Sequence, residues 1–144
     1  MGNGLLTGGA FLDFRKAFDS VNHKILLRKL TFCGVKGVEL TWFTNYLLNG
    51  QQKTTVGDTA STWGTILSGV PQGSILGPLL FTIMVNDLPG VTSTSKILMY
   101  ADDTVLLCSA KQIDELEFHL NKDLDLVNDW VKENGLSLNP TKTQ

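Results

Sequence analysis

Apolar positions recur along the chain at two different periods, and the switches between them mark out its elements. Residues 9–14 form a short, nearly continuous apolar run holding Asp13, the pattern of a buried strand. Val21, Ile25, Leu26 and Leu30 then repeat at helical spacing. They predict a helix over residues 21–30, capped by Asp19 or Ser20 and ended by Cys33-Gly34. Val38, Trp42, Tyr46 and Leu47 predict a second helix over residues 38–48, closed by Asn49-Gly50. Residues 51–56 and 62–67 read as strands joined at Gly57-Asp58. Val70-Pro71-Gln72-Gly73 breaks regular structure, and Pro78 suits the first turn of a helix that runs to about Asn86 and stops before Pro89-Gly90.

Two very apolar arms, residues 97–101 and 105–108, flank Asp102-Asp103-Thr104 and predict a β-hairpin. Over residues 112–133, Ile113, Leu116, Leu120, Leu124, Val127 and Val131 alternate in steps of three and four, an amphipathic stripe. Asp114, Glu115, Glu117, Asp123, Asp125, Asp129 and Glu133 fall between them and read as the wet face. Residues 136–138 form a candidate last strand. The order, with its hairpins, predicts an α+β fold, an antiparallel sheet with helices packed on one face. The glycine-rich residues 1–9 read as a frayed or disordered end, and residues 10–144 as one domain.

Composition narrows the class. With 42% apolar and 18% charged residues in 144, the chain is an ordinary globular sequence and not a disordered tail. Its longest apolar run, residues 75–85, is interrupted by Gly77, Pro78 and Thr82 and falls short of the roughly 20 residues a bilayer crossing needs. Residues 1–9 lack the basic start of a signal peptide, and Leu6 stands where a myristoylation motif wants Ser or Thr. Cys33 and Cys108, with only two histidines, match neither a disulfide framework nor a zinc site. A reducing, intracellular setting, cytoplasm and/or nucleus, is the expectation. The net charge of −2 hides an asymmetry: residues 1–53 hold seven basic and three acidic residues, the remainder five and eleven. A basic segment of this kind faces either water or a polyanion.

The chemistry-bearing residues are carboxylates. Asp102 and Asp103 sit together at the tip of the hairpin arms, and Asp13 ends another apolar strand. If those strands are sheet neighbours, three like charges converge, and such clusters bind protons or cations. Oxygen-only ligands favour Mg²⁺ over Zn²⁺.

These residues carry a resemblance. AFLDFRKAFD at residues 10–19 resembles the first catalytic motif of reverse transcriptases from non-LTR (LINE-type) retrotransposons. GVPQGSILGPLLF at residues 69–81 resembles the second, and YADD at residues 100–103 the third, a metal-binding hairpin. NPTKT at residues 139–143 is similar to the Lys-Thr element that follows the long helix. The four elements come in the family's order. YADD also occurs in group II intron reverse transcriptases and maturases, but Gly77-Pro78 and the run VNDLP at residues 85–89 are more LINE-like.

The resemblance implies a reverse-transcriptase palm, with fingers and thumb largely missing, that adds dNMP to a primer 3′-OH. Its partners would be an RNA template, a DNA primer and dNTP, with no membrane contact and the oligomeric state left open. Asp13 and Asp102 would bridge two Mg²⁺ ions, with Mn²⁺ as a substitute. The Phe14 carbonyl would be a further ligand, and Asp103 would support the hairpin end. Phe18 would exclude a ribose 2′-OH, Gln72 would touch the incoming nucleotide and Gly73 would let backbone approach it. Lys142 would protonate or steady the leaving pyrophosphate. Phe18 argues against an RNA-templated RNA polymerase. The rival reading is a truncated, non-catalytic retroelement remnant that binds nucleic acid weakly, since the grip of fingers and thumb supplies positioning worth about 7–11 kcal/mol of barrier. Bare palm surfaces predict partial aggregation. Arg15, Asn22, Gly50 and Met84 depart from the family's frequent residues without touching the carboxylates. Trp42, Trp63 and Trp130 read as buried anchors, with base stacking as the alternative.

Overall fold

A computed structural model describes residues 4–71 and 73–144. It divides into two compact units, one assembled from Met1–Ala17 and Val85–Gln144, the other from Phe18–Met84.

The first unit is built on a three-stranded antiparallel sheet. Strands β1 (Leu6–Asp13), β6 (Lys96–Tyr100) and β7 (Asp103–Ala110) lie in the order β1-β7-β6. Alternation sorts their side chains. Leu12, Thr104 and Met99 form one row across the sheet, and Ala10, Leu106 and Ile97 the next. This face packs beneath the long helix that follows the hairpin, which contributes Leu116, Val127, Trp130 and Val131. The opposite face is open. There Phe11, Val105 and Leu98 form a row in which Phe11 and Leu98 stay more than half exposed.

Three boundaries differ from the sequence expectation. β1 begins at Leu6, because pairing of Leu6 with Ala110 and of Gly8 with Cys108 outweighs the glycines that were expected to fray this end. The hairpin turn is only Ala101-Asp102, so Asp103 and Thr104 belong to β7. The last strand shrinks to a bridge between Phe14 and Leu138, after which Gln144 exchanges backbone hydrogen bonds with Phe11 at 2.7 and 3.0 Å. β1 is therefore paired along both edges. A 3₁₀ turn at Leu88–Gly90 follows the helix that ends at Val85.

Asp123 corrects the reading of the long helix. It is fully buried and not part of the wet face. It accepts five hydrogen bonds, from the amides of Ser93, Thr94 and Ser95 and the hydroxyls of Ser93 and Thr94, at 2.6–3.1 Å. Burial by itself pushes its carboxyl up, but those donations outweigh it and hold the group well below the usual carboxylate range. The helix thus ties down the loop that launches β6.

The second unit holds α1 (His23–Phe32), α2 (Gly37–Leu48), the short strands β2 (Gln51–Gln52), β3 (Thr55–Val56), β4 (Thr59–Ala60) and β5 (Gly64–Thr65), and, through Met84, α3 (Leu76–Val85). The long helix of the first unit is α4 (Ile113–Glu133). Asn22, and not Asp19 or Ser20, caps α1, accepting from Lys24 and Ile25 N–H. β2 pairs with β5 and β3 with β4, so the expected hairpin forms two nested ladders of two residues each around Gly57-Asp58, and β4 lies ahead of the second strand expected at residues 62–67. α3 starts at Leu76, two residues before Pro78, because the Ser74 hydroxyl accepts the Gly77 N–H. The core of this unit draws on Leu26, Leu30, Leu80, Phe81 and Met84. Cys33 is exposed and Cys108 buried, both as free thiols. Among the described residues no helix is long and apolar enough to cross a membrane.

Candidate active site

The site grows from the open end of the sheet in the first unit. Register places Asp13 directly opposite Asp103, and Tyr100 on the other side of Asp103, so the three form the last row of the open face. Asp102 occupies the turn beside them. Ala101 carries φ of +55°, while Asp102 does not enter that region. Two-residue hairpin turns draw on positive φ at their first central residue, because this matches the right-handed twist of the flanking strands. A non-glycine residue there costs about 1 kcal/mol, and the strand pairing on both sides holds it.

Asp102 and Asp103 are exposed and Asp13 is half-buried. Like charges directly opposite each other on neighbouring strands destabilise a sheet, so this end of β1 and β7 is suited to a cation. Among the described residues, no three carboxylate, imidazole or thiol groups stand close enough to hold an ion by themselves. The convergence of Asp13, Asp102 and Asp103 expected from the sequence is thus reduced to the Asp13–Asp103 pair, with Asp102 in the adjoining turn.

The Lys-Thr element is anchored to the same strand. Asn139 N–H donates to the carbonyl of Asp13 at 2.7 Å. The Asn139 side chain accepts from the Thr141 amide and hydroxyl, and its carbonyl accepts from Lys142 and Thr143 N–H. Lys142 therefore rides on a short turn fixed to the backbone of Asp13, with its side chain in solvent. Phe14, buried, bridges to Leu138, and Arg15 N–H donates to Ser137.

The remaining predicted residues belong to the second unit. Phe18 is half-buried and stacks on the buried Phe81, ring centroids 4.7 Å apart. Gly73 has φ of +78° and open space where a Cβ would stand; Gln72 lies outside the described residues. The approach to this turn is stitched to the end of the first motif. Gly69 N–H donates to Val21, Val70 N–H to Phe18, and the Ser68 hydroxyl to Asp19. Gly69 is required here: its φ is +89°, and a Cβ would lie 2.8 Å from the Asp19 carbonyl. A cleft of about 660 Å³ opens beside it, lined by Asp19, Gln52, Thr65, Ser68 and Pro71 among others.

Sequence reasoning missed one positioning residue. His23 is buried and donates from Nε2 to the Gly69 carbonyl at 2.7 Å. Its place in the first turn of α1, next to the Asn22 cap, was the available signal. Of the three tryptophans, only Trp130 is a buried anchor; Trp42 and Trp63 are 51% and 62% exposed, which overturns that expectation for both.

The model of the family "Reverse transcriptase (RNA-dependent DNA polymerase)" matches residues 3–144. The chain is 33% identical over 141 residues to the RNA-directed DNA polymerase from mobile element jockey of Drosophila melanogaster, covering 93% of this chain and 15% of that protein. It is 34% identical over 143 residues to a probable RNA-directed DNA polymerase from transposon BS of the same organism, at 92% and 15% coverage. It is also 29% identical to a Pol polyprotein from the type-1 retrotransposable element R2 of Popillia japonica, at 91% and 23%. Thus it spans under a quarter of these relatives. Among solved structures it resembles apo telomerase of Candida tropicalis truncated from its C-terminal domain, with a TM-score of 0.69 and 15% identity over 97% of this chain and 30% of the other. Telomerase of that organism in complex with a fragment of telomeric RNA gives 0.70 and 16%, at 97% and 26% coverage. The fold is thus that of a partial reverse-transcriptase domain, and the chain belongs to the reverse transcriptase (RNA-dependent DNA polymerase) family, with relatives among the polymerases of non-LTR retrotransposons.

Proposed function

We propose that this chain is the palm of a LINE-type reverse transcriptase, which adds dNMP to a primer 3′-OH along an RNA template. The observation that carries the reading is the Asp13–Asp103 pair, set face to face beside Asp102 at the end of β1 and β7. Asp13 and Asp102 would hold two Mg²⁺ ions, the Phe14 carbonyl would add a ligand and Asp103 would support the hairpin end. The chemistry such a metal would supply is activation of the 3′-hydroxyl and neutralisation of charge on the leaving pyrophosphate.

Lys142, tethered through Asn139 to the backbone of Asp13, is the general acid for that pyrophosphate. Gln72 and Gly73 position the incoming nucleotide, and the bare φ-positive backbone at Gly73 allows close approach. The ring of Phe18 rejects a 2′-hydroxyl, and Phe81 behind it keeps it from yielding. The same reading places the protein inside the cell, in cytoplasm or nucleus, with RNA, DNA primer and dNTP as partners.

Primer extension on an RNA template with dNTP and Mg²⁺ or Mn²⁺ tests this. Extension by the purified chain that disappears in Asp102→Ala supports the proposal. No extension by either chain would assign polymerisation to a longer protein and leave this chain in the remnant class. Phe18→Val is expected to raise ribonucleotide incorporation at least tenfold relative to deoxyribonucleotide, the loss of about 1.4 kcal/mol of discrimination. Phe18→Tyr keeps the ring and should keep the selectivity. Unchanged discrimination in Phe18→Val removes the sugar-gate role.

A further inference from the structure

One basic feature of the second unit has no part in the chemistry above. Between Ser20 and Gly57 the chain carries five basic residues and a single acidic one, Glu39 in the first turn of α2. Two of the five, Lys24 and Arg28, stand four residues apart on the solvent side of α1, and Phe32 continues the same line. Phe32 is 85% exposed.

The contrast with Lys29 on the same helix is informative. Lys29 turns inward and donates to the Met84 carbonyl, whereas Lys24 and Arg28 form no ion pair among the described residues. Residues four apart on a helix lie one above the other, about 6 Å along the axis. That spacing is on the scale of one nucleotide step in an extended strand. Two free cations followed by a flat exposed ring form the combination that binds single strands, with charge along the backbone and stacking under a base. Arg28, one helical turn from Phe32, can also lie against the aromatic face.

We infer that the outer stripe of α1 binds a single-stranded nucleic-acid segment, with successive phosphates at Lys24 and Arg28 and an unpaired base stacked on Phe32. The choice of nucleic acid over an acidic protein rests on the reverse-transcriptase reading. The site needs neither metal nor primer extension.

The test is fluorescence anisotropy of a labelled twelve-nucleotide oligo(rU) with the 144-residue chain, over a salt series from roughly 50 to 200 mM. Lys24→Gln with Arg28→Gln is expected to weaken binding at least tenfold at the low-salt end. It should also flatten the dependence of log K on log salt by about 1.4, or about 0.7 per phosphate released. Phe32→Leu should weaken binding at least about fivefold at every salt concentration and leave the slope unchanged, while Phe32→Tyr binds like the parent. A control pair on α4, Lys122→Gln with Lys132→Gln, should change affinity less than twofold; thermal melts establish that each variant is folded.

The inference is overturned if the chain does not bind the oligonucleotide at low salt, if the α4 pair flattens the slope as much as the α1 pair, or if Phe32→Leu binds like the parent. It is also overturned if Phe32→Leu abolishes self-association in place of RNA binding, since the patch is then a protein interface. Stripe-dependent binding that persists in Asp102→Ala, in a chain without extension activity, supports this inference while the polymerase reading fails. Intact extension with a silent stripe does the reverse.

Discussion

Asp13→Asn is expected to cut primer extension by about three orders of magnitude while making the folded chain more stable. The two effects have one origin. Asp13 faces Asp103 across neighbouring strands, where like charges cost a few tenths to about 1 kcal/mol. Asparagine has the same size, keeps the strand register and removes the repulsion. Thermal melting in EDTA at low salt should therefore rise by a few degrees. Lost charge stabilisation of several kcal/mol accounts for the drop in rate, at about 1.4 kcal/mol per tenfold. Mg²⁺ supplies the discriminating measurement, because a ligand that binds only the folded state raises its melting temperature. The parent chain should gain stability on adding Mg²⁺, and Asp13→Asn should gain much less. A variant that melts lower than the parent in EDTA would instead make Asp13 a structural carboxylate.

Asp123→Asn should destabilise the fold by about 3–5 kcal/mol, since hydrogen bonds to a charged acceptor contribute about 1.5–3 kcal/mol each and an unsatisfied buried donor costs about 1–3 kcal/mol. The amide keeps the shape but aims two donors at a loop that already supplies five. Uncompensated donors and a lost charge both count against it. Near 4 °C per kcal/mol for a chain of this length, the melting temperature should fall by roughly 10–20 °C. The effect has a definite pH signature. The folded carboxyl is held below its unfolded value of about 3.9, so its contribution is complete above that value and is lost as pH falls from there toward the folded one. The gap between parent and variant should be constant from pH 7 to about 5 and narrow below pH 4. A gap that stays constant to pH 3 would show that Asp123 contributes through shape alone.

Much of this architecture was legible because it is local. The apolar arms around Asp102-Asp103 predicted the hairpin, and the three-four stripe predicted α4, each from contiguous residues. The convergence of Asp13 on the hairpin required only that two apolar strands be neighbours. What escaped depended on partners far away in the chain. Asp123 occupies the stripe between Leu120 and Val127, yet an acidic residue in a helix reads as solvated unless the donors near Ser93 are known to reach it. Asp19 and Ser20 were the expected caps, but the carbonyls of Asp19 and Val21 are held by Ser68 and Gly69, and the helix begins after Asn22. The glycines of β1 suggested fraying, and only the register with β7 shows why they are paired. The left-handed Ala101 follows from a turn two residues long, a length the pattern had overestimated by one.

The double pairing of β1 also sets an order of events at the ribosome. Asp13 is made about 90 residues before Asp103, the partner against which it is registered. At about 5–20 residues per second, the strand waits roughly 5–20 seconds for its neighbour, and longer for Gln144 to cover its other edge. The intervening residues 18–84 form a contiguous unit and emerge complete during that wait. The carboxylate pair thus forms only after the second unit is made, and a transcript broken ahead of Asp103 encodes that unit, with the outer stripe of α1, but without the Asp13–Asp103 pair.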